Sequence, residues 1–183
     1  MVDIHCHILP GVDDGPKDWS TTLEMCRMAI NDGIQHIVAT PHASPRYPYD
    51  RERHQASLEE LQTKVPGLKF TLGCDFYVSY DNIDALVQNP QRYTIGQTRY
   101  LLAEFSDFGL PAQFKDQIFQ LHYAGVTTVI THPERNPICT EYHDLTAQLV
   151  DMGCLIQITG DSLLGAWGRV ARKAAEKYLG DGL

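Results

Sequence analysis

The chain has 183 residues, 23 acidic against 15 basic, with a formal net charge of −8. That length suits one domain and is short for two, and a hydrophobic share of 43% with 21% charged residues excludes a disordered chain. The acidic balance excludes a protein held on nucleic acid or anionic membrane by overall charge, and together with eight His it suits a site that gathers metal ligands.

Val2 to Ile8 is a first apolar run and predicts a strand. Helical spacing follows through Trp19, Leu23, Cys26 and Ile30, with Pro16 and Asp18 near its start and Gly33 as its stop. Ile34 to Thr40 predicts a second strand closed by Pro41, and a helix from Arg51 to Lys64 is ended by Pro66-Gly67. Phe70 to Cys74 reads as a third strand and Tyr100 to Phe105 as another. Pro111 opens a helix that carries Phe114, Ile118 and Leu121 and ends at Gly125. Then come strand Val126 to Thr131, a helix around Leu145 to Met152 stopped by Gly153, strand Leu155 to Ile158, and a last helix through Val170, Ala174 and Tyr178.

Strands alternating with helices mean βα units on a parallel sheet. Several such units without a nucleotide-binding fingerprint point to a TIM-like barrel rather than a doubly wound sheet, and the length is short for eight units. The expectation is therefore an α/β fold, one domain over residues 1–183, built as a barrel that lacks its final C-terminal strand. The chain stops at Leu183 after a helix and a Gly-Asp-Gly turn, where another strand is due.

No run approaches the roughly 18 apolar residues needed to span a bilayer. The start, Met1-Val2-Asp3-Ile4-His5, has neither the basic nor the apolar region of a signal peptide. The five Cys (6, 26, 74, 139 and 154) are odd in number and form no C-x-x-C pair, so a disulfide framework and a Cys-based zinc site are disfavoured and a reducing cytoplasm is expected. None has an Arg six positions later, which removes the C-x5-R phosphate-binding nucleophile loop. A Walker A lysine loop and a G-x-G-x-x-G motif are absent as well.

Period-2 geometry points Val2, Ile4, Cys6 and Ile8 one way and Asp3, His5 and His7 the other. The apolar set is expected to pack on the helix layer and the polar set to face the interior, where an unpaired imidazole is costly. H-x-H on a strand sets two imidazoles at a spacing suited to one ion; the alternative is a pair of surface histidines on an edge strand. Other ligand-type residues fall at strand ends, where a barrel places its site: Asp13 and Asp14, His42, Asp75 at the end of the third strand, Glu104, and His132. His36, His54 on a solvated helix face, His122 and His143 read as structural or surface residues. Arg135 in Thr131-His132-Pro133-Glu134-Arg135 either clamps a phosphate or pairs with Glu134 or another loop carboxylate. The loop Ser44-Pro45-Arg46-Tyr47-Pro48-Tyr49 is a polar, aromatic rim after His42, with Arg46 facing an anionic substrate or solvent.

The opening segment Asp3-Ile4-His5-Cys6-His7-Ile8-Leu9-Pro10-Gly11-Val12-Asp13-Asp14-Gly15-Pro16 resembles that of the PHP metallo-phosphoesterases. More narrowly it resembles the bacterial manganese-dependent protein-tyrosine phosphatases of capsule and exopolysaccharide operons. The likeness continues through Ala39-Thr40-Pro41-His42, Leu102-Ala103-Glu104-Phe105, Thr131-His132-Pro133-Glu134-Arg135, Ile156-Gln157-Ile158 and Ser162-Leu163-Leu164-Gly165. It implies a distorted (β/α)7 barrel, the PHP fold, with up to three divalent metals, manganese first, iron or zinc otherwise. His5 and His7 would hold one metal, Asp14 and His42 another, and Glu104 and His132 the third. Asp75 stands where the family has a bridging Glu, one methylene longer. The family's last strand carries an Asp-x-His pair that this chain does not reach.

The resemblance implies hydrolysis of phosphotyrosine on a protein, with the tyrosine-rich tail of a bacterial tyrosine kinase as partner. A metal-bridging hydroxide would attack phosphorus while the metals and Arg135 offset the developing charge. Asp14 and Arg135 are the candidate catalytic residues. The rival expectations are a small-molecule phosphatase such as histidinol-phosphate phosphatase, and a non-catalytic scaffold with a degraded metal site.

Overall fold

A computed structural model of the chain describes residues 1–79, 82–109 and 112–183, so Pro111, expected to open a helix, lies outside the described residues. The fold is mixed α/β with parallel strand pairing. The described residues gather into two compact units, Met1–Phe76 with Gln91–Arg99, and Tyr77–Pro90 with Tyr100–Leu183.

The first unit begins with β1 (Val2–Cys6), α1 (Trp19–Asn31), β2 (His36–Ala39), β3 (His42–Ala43), α2 (Arg51–Lys64), β4 (Lys69–Leu72) and the start of β5 (Asp75–Val78). Its strands run β1-β2-β4 in one parallel sheet, and β3 pairs with β5. α1 is capped by Asp18, whose backbone is extended and whose side chain accepts the Thr21 N–H, and Gly33 at φ +79 lets the chain leave it. Thr22, Cys26 and Ala29 form its buried stripe at helical spacing, and the Thr22 hydroxyl donates to the Ile8 carbonyl at 3.0 Å. α2 is capped by Asp50 and ends at Val65, because the residue before Pro66 is driven out of the helical region. Ile8, Leu9, Cys26, Ile37, Leu61 and Phe70 belong to the core between these elements.

Two expectations for this unit change. β1 stops at Cys6 and its register with β2 is irregular between Asp3 and Cys6, so strict alternation does not continue to Ile8. Val2 and Ile4, on the edge of their sheet, stay exposed at 55% and 43%, while Ile8 and Leu9 just past the strand are buried. The expected third strand is β4, which stops at Leu72, and an unexpected strand, β5, follows it. Gly73 N–H donates to the Ala39 carbonyl at 2.8 Å and closes β4 against β2; Asp75 N–H then donates to the Pro41 carbonyl at 3.1 Å and opens β5 beside β3. Asp75 therefore begins a strand instead of ending one. A Cβ at Gly73 would sit 3.1–3.3 Å from Ile95, Val38 and Thr40 side chains, so the crossing point has no room for a larger residue.

The second unit holds α3 (Ile83–Gln88), β6 (Tyr100–Phe105), α4 (Phe114–Tyr123), β7 (Thr127–Thr131), α5 (Pro137–Glu141), α6 (His143–Asp151), β8 (Leu155–Gln157), α7 (Gly160–Leu164) and α8 (Gly168–Asp181). β6 pairs with β7 and β7 with β8, with Thr131 opposite Gln157. Leu101, Leu102 and Ala103 are buried in succession, the signature of a strand covered on both faces. α3, α5 and α7 are too short for periodicity to reveal. α8 buries Ala171, Ala175 and Tyr178, one residue out of phase with the expected stripe except at Tyr178, and leaves Val170 exposed. Tyr178 anchors it: the hydroxyl donates to the Cys139 carbonyl at 2.8 Å inside the unit. No helix among the described residues is long and apolar enough to cross a membrane.

Leu61 is fully buried, whereas Val170 is 71% exposed. Urea unfolding is expected to show Leu61→Ala costing about 2–5 kcal/mol and Val170→Ala staying within about 0.5 kcal/mol of the parent.

Candidate metal centre

In the first unit, the end of β1 turns His5 and His7 toward each other, their Nε2 atoms 3.3 Å apart. Strand register sets His42 opposite Asp75, at the start of β3 and β5. The fully buried Asp75 places Oδ2 3.4 Å from His5 Nε2 and 3.5 Å from His42 Nδ1. Asp14, with its side chain 61% exposed, brings Oδ1 to 3.4 Å from His7 Nδ1 and 3.6 Å from His42 Nε2. Two groups result, His5 with His7 and Asp75, and His7 with Asp14 and His42, each with ligand atoms within 4.8 Å of one another. Imidazole nitrogens and a carboxylate converging on one point are the donor set of a first-row divalent cation, so the residues fit the metal that the resemblance implies. Asp75, despite its shorter side chain, lies between two imidazoles, the place a bridging carboxylate would take.

The surroundings keep these ligands available. Burial pushes the pKa of the His42 imidazole down, and His7 adds to this against the pull of Asp75, Asp14 and Asp13, which favours the neutral ring. Its ring is stacked with Tyr47 at 5.7 Å and 10°, and the Arg46 guanidinium lies 5.1 Å from the same Tyr47 ring. Asp13 is buried beneath, its Oδ2 accepting from His7 Nδ1 at 2.8 Å and from the His42 N–H at 2.9 Å, and its Oδ1 from the Gly15 N–H at 3.0 Å. Burial works to raise its carboxyl, but those contacts outweigh it and hold the group below the usual range.

The cysteines offer no competing nucleophile. Burial, with help from Asp3, pushes the Cys6 thiol up to about 12; Cys139 is raised to about 11 and Cys154 to about 12, again by burial first. Thiols so protonated at neutral pH do not attack phosphorus.

In the second unit, Glu104 near the end of β6 and His132 just past β7 face each other at 3.8 Å. His132 has φ +35, a conformation rare outside glycine, fixed by its N–H donating to the Gln157 carbonyl at 2.8 Å and its carbonyl accepting from Arg135 N–H at 2.9 Å. Glu134 is buried, its Oε1 taken by the Thr159 N–H at 3.0 Å and hydroxyl at 2.9 Å. The Arg135 guanidinium lies 4.3 Å from the centre of the Trp167 ring, a cation–π contact.

Thus the structure brings His5, His7, Asp14, His42 and Asp75 together in one unit, and Glu104, His132 and Arg135 lie in the other. Sequence reasoning missed Asp13 as a partner of His7, Tyr47 against His42, Trp167 under Arg135 and Glu134 on Thr159. His54 is a correction: it is buried, against the edge of Tyr49, and not solvated. His36 bonds to Thr71, His122 to the Met152 carbonyl and His143 to Asp181, outside the centre as expected.

The model of a family described as capsular polysaccharide synthesis, CpsB/CapC, matches residues 1–183. A CapC protein of Staphylococcus aureus is 37% identical over 188 residues, covering 100% of this chain and 73% of the relative. The tyrosine-protein phosphatase YwqE of Bacillus subtilis is 33% identical, covering 92% of this chain and 68% of the relative. A solved structure from a set described as YwqE from Bacillus subtilis and CpsB from Streptococcus pneumoniae, metal-dependent tyrosine phosphatases, matches with a TM-score of 0.84 at 31% identity, over 98% of this chain and 74% of that one.

A Cβ at Gly15 would lie 2.5 Å from the His7 carbonyl oxygen, too close to stand. Gly15→Ala is therefore expected to weaken Mn²⁺ binding by about tenfold or more in titration calorimetry, with circular dichroism little changed.

Proposed function

The chain belongs to the CpsB/CapC family of capsular polysaccharide synthesis, and on that footing we propose that it is a metal-dependent protein-tyrosine phosphatase. The observation that carries the reading is the pair of imidazole nitrogens facing each other at 3.3 Å with the buried Asp75 carboxylate beside them. Its substrate is phosphotyrosine on a protein, with the tail of a bacterial tyrosine kinase as the partner. The place of action is the cytoplasm, in keeping with five free cysteines. The fold we propose for it is a distorted (β/α)7 barrel of the PHP type, a reading that the parallel strand pairing supports.

His5, His7 and Asp75 would hold one cation, Asp14 and His42 another, and Glu104 with His132 a third; manganese, iron and zinc all suit such ligands. Bound there, divalent cations supply charge neutralisation at phosphorus and lower the pKa of an attacking water. Asp14, exposed beside His7 and His42, would hold the second cation through one carboxylate oxygen and leave the other to accept a proton from an attacking water. Arg135 offers a planar fork of N–H donors to two phosphate oxygens, and the Trp167 ring holds that fork on one face. A tyrosine phenolate leaves readily because its conjugate acid has a pKa of about 10. Little help from a general acid is required, and no cysteine.

The expected outcome is EDTA-sensitive turnover of a phosphotyrosyl peptide in preference to histidinol phosphate, abolished in His5→Ala with circular dichroism preserved. Preference for histidinol phosphate makes the protein a small-molecule phosphatase. Loss of both activities together with absence of bound metal makes it a scaffold, and either result overturns the reading.

A further inference from the structure

Adjacent Asp13 and Asp14 follow the H-x-H strand, and the two do different things. Asp14 is exposed and turns Oδ1 toward His7 and His42, as a ligand does. The Asp13 side chain is 1% exposed and spends both oxygens on N–H groups of the chain. Oδ2 accepts from His7 Nδ1 at 2.8 Å and from the main-chain N–H of His42 at 2.9 Å, and Oδ1 from Gly15 N–H at 3.0 Å. One carboxylate thus ties the residue following β1 to the first residue of β3, and these two carry ligand groups of both clusters.

We propose that Asp13 is the positioning residue of the metal centre: it fixes the tautomer and ring orientation of His7 and the main-chain position of His42, and so sets both groups of ligands at once. This rests on the metal reading above. The chemistry runs through the hydrogen-bond inventory. With two main-chain N–H groups and an imidazole aimed at it, the carboxylate acts as acceptor at each contact, so the proton of neutral His7 sits on Nδ1. Nε2 then keeps its lone pair, and Nε2 is the atom that faces His5 Nε2 at 3.3 Å. A carboxylate behind a ligating imidazole fixes its tautomer and raises its basicity, and removing such a partner typically costs about 10–100-fold in metal affinity. Asp13 differs from an ordinary orienting carboxylate in one respect: the same Oδ2 also holds His42, so both clusters depend on it. Gly15 completes the turn, since no side chain fits between it and His7.

The test has two arms. In the metal-free protein, long-range ¹H–¹⁵N NMR should show His7 as the Nδ1–H tautomer, and Asp13→Ala should abolish that preference. Titration calorimetry with Mn²⁺ should show Asp13→Ala about 10–100-fold weaker than the parent. Asp13→Asn, which keeps one acceptor oxygen and the shape of the side chain, should fall between them and serves where the alanine variant does not fold. A purely structural Asp13 would lower the melting temperature and leave both the His7 tautomer and the Mn²⁺ affinity of the folded Asn variant at parent values; that result overturns the proposal. An Nε2–H tautomer in the parent overturns it as well. Absence of Mn²⁺ binding by the parent defeats the metal reading itself, and is told apart because the tautomer is read without metal.

Discussion

A carboxylate with no solvent exposure, set between two imidazoles, is the interaction on which the first unit depends. Burying the charge of Asp75 costs free energy that a cation held between it and the imidazoles of His5 and His42 would offset. The local path follows from that demand. β4 ends at Leu72, Gly73 turns the chain and β5 starts at Asp75, so the carboxylate lands opposite His42 instead of continuing along the first sheet. The tight glycine at the crossing and the two-residue β3 are consequences of the same requirement. The proposed cation would explain why so many negative and lone-pair groups are held close together within a chain of net charge −8.

The second unit holds a strained residue of its own. His132 adopts a positive φ that costs free energy for a non-glycine residue, and the turn it begins carries Glu134 inward to Thr159 and Arg135 onto Trp167. Two adjacent side chains therefore grip two points of one segment, the start of α7 and the residue before α8. Such a bracket fixes a guanidinium more firmly than a solvated loop would, which suits the two-point hold on phosphate oxygens proposed for Arg135. The protonated thiols complete the chemical picture, since they leave hydrolysis to activated water rather than to a cysteine.

The parts of this design legible in the sequence are those with a short-range period. The H-x-H pair, the α1 cap at Asp18 and the apolar strand Tyr100–Phe105 follow from alternation, capping chemistry and runs of aliphatic residues. The division of labour between Asp13 and Asp14 was not legible, because two identical neighbours differ only in which way the turn points them. Tyr47 against His42 and Trp167 against Arg135 depend on loop geometry that no period encodes. His54 is a different case: it stands in step with Leu58 and Leu61 at helical spacing, so the burial signal was present and was masked by its charged neighbours Arg51, Glu52 and Arg53. The strand that begins at Asp75 was hidden because Gly73-Cys74 looks like the end of a strand, not a crossing between two.

Anomalous diffraction from crystals grown with manganese tests most directly whether His5, His7 and Asp75 define a cation position. The expected result is an anomalous peak bounded by Nε2 of His5, Nε2 of His7 and Oδ2 of Asp75. Saturating manganese with no peak there, or peaks confined to other carboxylates, would contradict it.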